Sequence, residues 1–298
     1  MTLKIDQAIE LISAWRGKSL SFKPIYGGIT NQNFKVIVDQ EPYFLSIANN
    51  DSELLGVNLF NKHFNNKVCD KLELSPKIIH FLQSEGVLVS EFFPLPTLSN
   101  ESLHKFDVQK RLIIAIKKLH RGPNFMGTFD MFNLIKSYLK IAKLKDIKFP
   151  DDFEDCLIKA NIIGKALEPY RKKLVPCHND LTAENMLDDG QKIYLIDFDY
   201  SGQNDLFFEL GNLCVEAKFN DIQTRELLIN YFGQINEEIV SKTHLHGVLS
   251  DIGWSLWSFV QIQISEIDFD FMSYGLKRWK KAVYEIKSGK VDKWLQYI

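Results

Sequence analysis

Residues Cys177-His178-Asn179-Asp180-Leu181-Thr182-Ala183-Glu184-Asn185, followed by Ile193-Tyr194-Leu195-Ile196-Asp197-Phe198, constrain this chain more than any other stretch. The apolar run Ile193 to Ile196 reads as a short buried strand that delivers Asp197 at its end. Asp180 stands five residues before Asn185, and Asp197 follows twelve residues after Asn185. That spacing is the grammar of a phosphoryl-transfer loop. One carboxylate faces a substrate hydroxyl, while an Asn and a second Asp hold a divalent cation on nucleotide phosphates. His-x-Asp-x-x-x-x-Asn alone is a weak signal, because Asp and Asn abound in turns. The strand-borne Ile-Asp-Phe at the right distance makes it specific.

Charge supports the same reading. From Asn179 to Glu216 there are nine acidic residues and one basic residue, Lys192. Such a cluster repels itself unless it is solvated or binds cations. Elsewhere the chain is ordinary: 298 residues, 45% hydrophobic and 25% charged, with net charge −2. This predicts a globular protein with an ample core and gives no electrostatic reason to expect nucleic acid. Four scattered cysteines form no CxxC, so a disulfide framework and structural zinc are not expected and a reducing, cytoplasmic setting fits. Met1 to Trp15 lacks the pattern of a signal peptide. Ile252 to Ile264, with Ser and Gln inside it, is too short and polar to span a bilayer, so no transmembrane segment is expected.

Apolar periodicity places a helical stripe over residues 3–15, with Gly17 as its stop. Phe34 to Val38 and Tyr43 to Ile47, separated by Asp-Gln-Glu-Pro, read as an antiparallel hairpin. Residues 53–72 are helical, and Ile78 to Leu82 and Val87 to Phe93 are two further strands. Pro94 and Pro96 then punctuate the chain, and the pattern beyond residue 100 is mostly helical. The expected fold is α+β and two-lobed, with a small antiparallel sheet plus helix in residues 1–93 and a larger, mainly helical lobe in residues 94–298.

Three blocks together resemble the choline/ethanolamine kinases of the aminoglycoside-phosphotransferase superfamily, which share a protein-kinase-like fold. They are Tyr26-Gly27-Gly28-Ile29-Thr30-Asn31-Gln32-Asn33-Phe34, His178 through Asn212, and Trp254-Ser255-Leu256-Trp257-Ser258-Phe259-Val260-Gln261 with Ile264 to Phe269 and Tyr274. The resemblance implies an ATP- and Mg2+-dependent phosphotransferase acting on a small amino alcohol, with choline first. Asp180 is then the catalytic carboxylate, and Asn185 and Asp197 are the metal ligands. His178 buttresses the loop. Gly27, Gly28, Thr30 and Asn31 cover the nucleotide, and Glu91 to Phe93 form the adenine hinge. Asp199, Tyr200 and Glu216 lie toward the substrate, the two acids offsetting its charge.

Trp254 and Trp257 share a helical face, and Tyr274 follows a turn that folds it back toward them. A quaternary ammonium has no N–H to donate, so aromatic faces hold it best. Read alone, such a pair on a buried helix is more often simply core. Ethanolamine, thiamine and aminoglycosides are the alternative acceptors; a polycationic aminoglycoside favours a less aromatic cleft.

One departure stands out. Similar kinases carry Arg or Lys on the third strand, paired with a helix Glu, whereas here the strand position is Ser46 and the helix position is Lys62. Loss of the strand cation leaves open a pseudokinase. The paired change suggests that Lys62, or alternatively Lys35 on the preceding strand, meets the phosphates instead.

Overall fold

The computed structural model describes residues 3–26, 30–49, 51–265 and 267–298. Helix α1 (Ile5–Leu11) and a 3-10 turn (Ser13–Trp15) lead into a five-stranded antiparallel sheet. Its strands are β1 (Leu20–Ile25), β2 (Asn31–Val38), β3 (Glu41–Ala48), β4 (Ile78–Leu82) and β5 (Val87–Glu91), in the order β1-β2-β3-β5-β4. Helix α2 (Leu59–Lys71) connects β3 to β4 and starts at Asn58, whose side chain caps the Asn61 amide. It begins later than its periodicity suggests, because residues 51–56 form turns instead.

The β2–β3 hairpin is tighter than expected. Val38 pairs directly with Glu41, leaving Asp39 and Gln40 as a two-residue turn at φ 49° and 76°. Both residues are left-handed, which matches the twist of the strands. Pro42 is tolerated inside β3 because pairing with β5 begins only at Tyr43. Strand β1 had no sequence signature: it is an exposed edge strand containing Lys23 and Pro24, with no alternation to read.

The remaining chain is mostly helical. Helices α3 (Asn100–Leu103), α4 (Phe106–His120), α5 (Met131–Leu144) and α6 (Phe153–Leu167) precede four short strands. These are β6 (Val175–Cys177), β7 (Met186–Asp188), β8 (Ile193–Leu195) and β9 (Gly202–Asn204), forming the ladders β6–β9 and β7–β8. Helices α7 (Leu206–Glu216), α8 (Asp221–Phe232), α9 (Glu237–Ile264), α10 (Phe271–Lys287) and α11 (Lys290–Leu295) complete the fold.

Three apolar clusters hold these elements. Trp15, Val36, Leu45, Ile47, Val87 and Val89 fill one face of the sheet beneath α1. Leu112, Ile116, Leu195, Phe198 and Leu213 join α4, β8 and α7. The largest cluster surrounds α9, which is buried on almost every side from Val240 to Gln261. No described helix is long and apolar enough to cross a membrane, so the all-round burial of α9 marks it as the central rod of the helical lobe. The four cysteines are free and buried.

Helices α7 and α9 cross closely through Gly211 and Gly247. A methyl on Gly211 would stand 2.5 Å from the Thr243 carbonyl oxygen and 2.8 Å from the Gly247 amide nitrogen. At Gly247 the nearest atom would be the Val215 Cγ2 at 3.1 Å and the nearest backbone atom the Gly211 carbonyl oxygen at 3.4 Å, a looser fit. Ala gains about 1 kcal/mol over Gly in a helix, whereas overpacking costs about 1–3 kcal/mol. Gly211→Ala therefore lowers unfolding stability by about 1–2 kcal/mol and Gly247→Ala changes it little. Urea denaturation of the two variants checks the ranking; equal stabilities would contradict the close crossing.

Candidate active site

Strand β6 ends at Cys177 and releases the loop 178–185, which is held from behind. The His178 amide donates to both carboxylate oxygens of Glu209 on α7, at 3.0 and 2.9 Å. The His178 ring is fully buried, with Nε2 2.8 Å from the Ile196 carbonyl oxygen. It therefore braces the loop. Asn179 takes a left-handed conformation, φ 69°, which Asn accepts more readily than most residues. Its Nδ2 donates to the Tyr200 carbonyl (2.9 Å), and its Oδ1 accepts from Asn204 Nδ2 (2.8 Å).

Asp180 and Asn185 meet across the resulting bend. Asn185 Nδ2 donates to the Asp180 carbonyl at 2.9 Å and to its Oδ2 at 3.1 Å. The β7–β8 hairpin then returns the chain, and the Ile196 amide donates to the Asn185 carbonyl (3.0 Å). Asp197 follows at φ 62°, a second left-handed residue at the same bend. Local strain of this kind clusters where geometry serves function.

Three carboxylates share this space, Asp199 buried and Asp180 and Asp197 partly so, and their environments push them apart. Burial raises the Asp180 carboxyl above its ordinary range. Burial and then the neighbouring charge of Asp199 push Asp197 up to about 8, with Lys62 opposing. Burial also acts on Asp199, but the charge and hydrogen bond of Lys62 and a bond from Asn31 more than offset it, holding that carboxyl low. Lys62 Nζ pairs with Asp199 and stands 3.9 Å from Asp197 Oδ1. Asn31 Nδ2 donates to Asp199 Oδ2 at 2.9 Å. The oxygen set suits a hard divalent cation. Asp197 Oδ1 is buried without a hydrogen-bond donor, and Asn185, its amide nitrogen given to Asp180, keeps its carboxamide oxygen.

A cavity of about 660 Å³ opens from these groups toward α9 and α10. Thr30, Asp180, Asn185, Asp197 and Asp199 line it together with Tyr200, Glu216, Trp254, Trp257, Phe269 and Tyr274. Ring centroids lie 4.7 Å apart for Tyr200–Trp254, 6.4 Å for Trp254–Trp257 and 6.2 Å for Trp257–Tyr274, each pair edge-to-face. The two tryptophans are thus both core and cavity wall. Asn212 on α7 fixes Trp254, its Oδ1 accepting from the indole N–H (3.0 Å) and from Ser250 Oγ (2.6 Å). Trp257 Nε1 and the Tyr200 hydroxyl are buried without hydrogen-bond partners.

The cavity brings together most of the residues singled out from the sequence, with instructive exceptions. Gly27 and Gly28 lie outside the described residues. Glu91 closes β5, and Phe93 packs edge-to-face on Tyr194 (4.9 Å) at the junction of sheet and helices; neither lines the cavity. Lys35 sets its ammonium over the Phe92 ring, 4.3 Å from the centroid, away from the carboxylates. The two acids expected to face a cationic substrate already have partners in the protein. Asp199 is taken by Lys62 and Asn31, and Glu216 pairs with Arg278.

Arg278 was not foreseen. It also reaches Asp251 Oδ1 (3.2 Å) and lies over the Tyr274 ring at 4.9 Å; burial lowers its pKa to about 10. Its signal was a basic residue four positions after Tyr274 on a strongly two-faced helix. Asn65 was missed as well. It is fully buried, and with Lys62, Asn66 and Cys69 it completes an i, i+3, i+4, i+7 stripe that is polar where an apolar one is usual.

Comparison with known proteins agrees with this geometry. The family model described as choline/ethanolamine kinase matches residues 22–231. Protein LicA of Haemophilus influenzae is 27% identical over 278 residues, spanning 89% of this chain and 79% of that protein. The crystal structure of a choline/ethanolamine kinase family protein from Mesorhizobium loti superposes with a TM-score of 0.81 at 27% identity, covering 97% of this chain and 95% of that one. Choline kinase LicA from Streptococcus pneumoniae gives 0.80 at 24% identity, over 94% and 98%, a likeness of fold. The family match covers well over half of the sequence, and the chain belongs to the choline/ethanolamine kinase family.

Proposed function

We propose that this protein is an ATP-dependent kinase that phosphorylates the hydroxyl of choline, giving phosphocholine. The observation that carries the reading is one cavity walled both by the Asp180–Asn185–Asp197 bend and by Tyr200, Trp254, Trp257 and Tyr274. Its volume falls within the roughly 300–1,000 Å³ usual for small-molecule sites. Residues 1–93 act as the nucleotide lobe, with Thr30 at the cavity and Glu91 to Phe93 as the hinge. Residues 94–298 carry the catalytic and acceptor groups. Four buried free cysteines suit a cytoplasmic setting.

In this scheme Asp180 orients the acceptor hydroxyl and takes its proton as the hydroxyl oxygen bonds to the γ-phosphorus. The bond from that phosphorus to the β–γ bridging oxygen breaks, and ADP departs with the electron pair. Asn185 and Asp197 would hold Mg2+, which supplies charge neutralisation on the phosphates. The Asn185 bond to Asp180 couples the proton acceptor to the cation-binding end of the loop. Burial of Asp180 makes it a better base than an exposed aspartate.

Choline is favoured over ethanolamine by the state of the two acids. A primary ammonium is rewarded by carboxylates that accept its N–H bonds, but Asp199 and Glu216 are engaged by Lys62 and Arg278. The aromatic faces, each contributing about 0.5–2 kcal/mol to a bound cation, then carry most of the recognition, beside Glu184, which lines the cavity without an ion pair among the described residues.

Three outcomes follow from this chemistry. In a coupled ADP-release assay with choline, ethanolamine, thiamine and kanamycin, choline gives the highest kcat/KM, and Trp257→Ala lowers it about tenfold or more; turnover of none of the four would exclude the reading. Asp180→Asn lowers kcat by about 10²–10⁴-fold with thermal stability retained; near-normal turnover would remove Asp180 from its role. Activity falls as pH drops, because Asp180 and Asp197 must both be ionised and both stand above the ordinary carboxylate range. A cation on Asp197 favours the charged form, so each tenfold rise in subsaturating Mg2+ moves the acid limb down by about one pH unit. A limb indifferent to Mg2+ in pH-rate profiles would contradict the metal assignment.

A further inference from the structure

Helix α2 turns a polar face to the helical lobe. Asn65 Nδ2 donates to the carbonyls of Met126 and Ser201 and contacts the Ser201 hydroxyl, all at 3.1 Å. The Met126 amide returns a bond to Asn65 Oδ1 at 2.7 Å. One turn earlier on the same face, these bonds fix the anchor of Lys62, whose side chain is 6% exposed overall and ends on Asp199 and Asp197. Among the described residues, Lys62 is the only lysine or arginine ion-paired to either carboxylate.

The sheet places Ser46 on the side of these carboxylates. Residues directly opposite on antiparallel strands share a face. Ser46 lies opposite Asn33, and Asn31 lies opposite Ala48, two positions along on each strand. Since period two keeps i and i+2 on one side, Ser46 and Asn31 project from the same face of the sheet. Asn31 reaches Asp199 from that face. Ser46 brings no charge there, and the Oδ1 atoms of Asn31 and Asn33 are buried without donors.

We infer that Lys62 is the phosphate-side cation of the cleft, supplied from α2 in place of a strand residue at Ser46, and that it rests on Asp199 and Asp197 until nucleotide binds. The inference rests on the phosphotransfer reading above. A buried carboxylate, Asp199, with a partly buried one, Asp197, beside it needs a positive partner, and the ammonium supplies one. A divalent cation entering with the nucleotide competes for the same oxygens and repels the ammonium, while the triphosphate offers it a new anion. A lysine is a compact charge on a flexible four-carbon stem, so Nζ transfers without moving the anchored helix. Asn31 keeps its bond to Asp199 throughout.

The test is equilibrium binding without acceptor, using Mg·ATP by calorimetry and Mn2+ alone by electron paramagnetic resonance. Lys62→Met weakens ATP binding by about 10–100-fold, and tightens Mn2+ binding to nucleotide-free protein by about tenfold, because a competing charge is gone. A purely structural lysine would not move the two affinities in opposite directions. The swap S46K/K62M regains at least about a tenfold part of the lost ATP affinity. Wild-type ATP affinity in Lys62→Met overturns the inference, as does loss of ATP affinity without a gain for Mn2+. Should Lys62→Met not fold, a folded S46K/K62M that binds no ATP overturns it equally. The phosphotransfer reading fails separately: the wild type then binds ATP but releases no ADP with any acceptor.

Discussion

The structure is organised around the mutual repulsion of Asp180, Asp197 and Asp199, three carboxylates in one cleft, the last buried and the others partly so. Bringing them together is unfavourable unless the backbone is fixed by other bonds and positive charge is at hand. Both conditions are met. Glu209 holds the loop through the His178 amide, Asn179 and Asn204 lock the bend, and Lys62 with Asn31 engages Asp199. Because each carboxylate has different neighbours, they are not equivalent. Asp199 is kept ionised as a fixed structural charge, whereas Asp180 and Asp197 are left with raised pKa values and open to incoming chemistry. A shared cleft thereby acquires a division of roles from its second layer of contacts.

The same contacts tie the two parts of the fold. Asn31 comes from the sheet, and Lys62 and Asn65 from α2; their partners are in the segment 197–201 and the loop after α4. Polar bonds at this seam suit a nucleotide cleft, because they can be exchanged for bonds to phosphate, whereas an apolar seam would have to be exposed. The aromatic wall of the cavity is built in the opposite way. Trp254 and Trp257 belong to the large apolar cluster around α9, so that wall is as rigid as the core behind it.

Much of this was legible in the sequence, and the reasons differ by element. The Asp180, Asn185 and Asp197 constellation was visible because its spacing is set by one short loop and one hairpin, both local. The hairpin of β2 and β3 was visible from its aromatic and branched runs. Strand β1 was not, since an exposed edge strand carries no alternation. Trp254, Trp257 and Tyr274 converge as helical spacing and a turn suggested. The partners of the acids were hidden. Nothing local in the sequence says that Arg278 meets Glu216 across 62 positions, or that Asn65 meets Ser201 across 136. Such pairs are decided by helix packing, and only the unusual polar stripe of α2 hinted at one of them.

Helix α7 carries Glu209, Asn212 and Glu216, which grip the loop of Asp180, the indole of Trp254 and the guanidinium of Arg278 in turn. Seven residues of helix span about 10 Å at 1.5 Å per residue. Under the proposed function one stiff rod therefore acts as a ruler between two stations, the Asp180 loop and the aromatic wall. An alcohol with a longer or shorter arm between hydroxyl and head would find those two stations at the wrong separation.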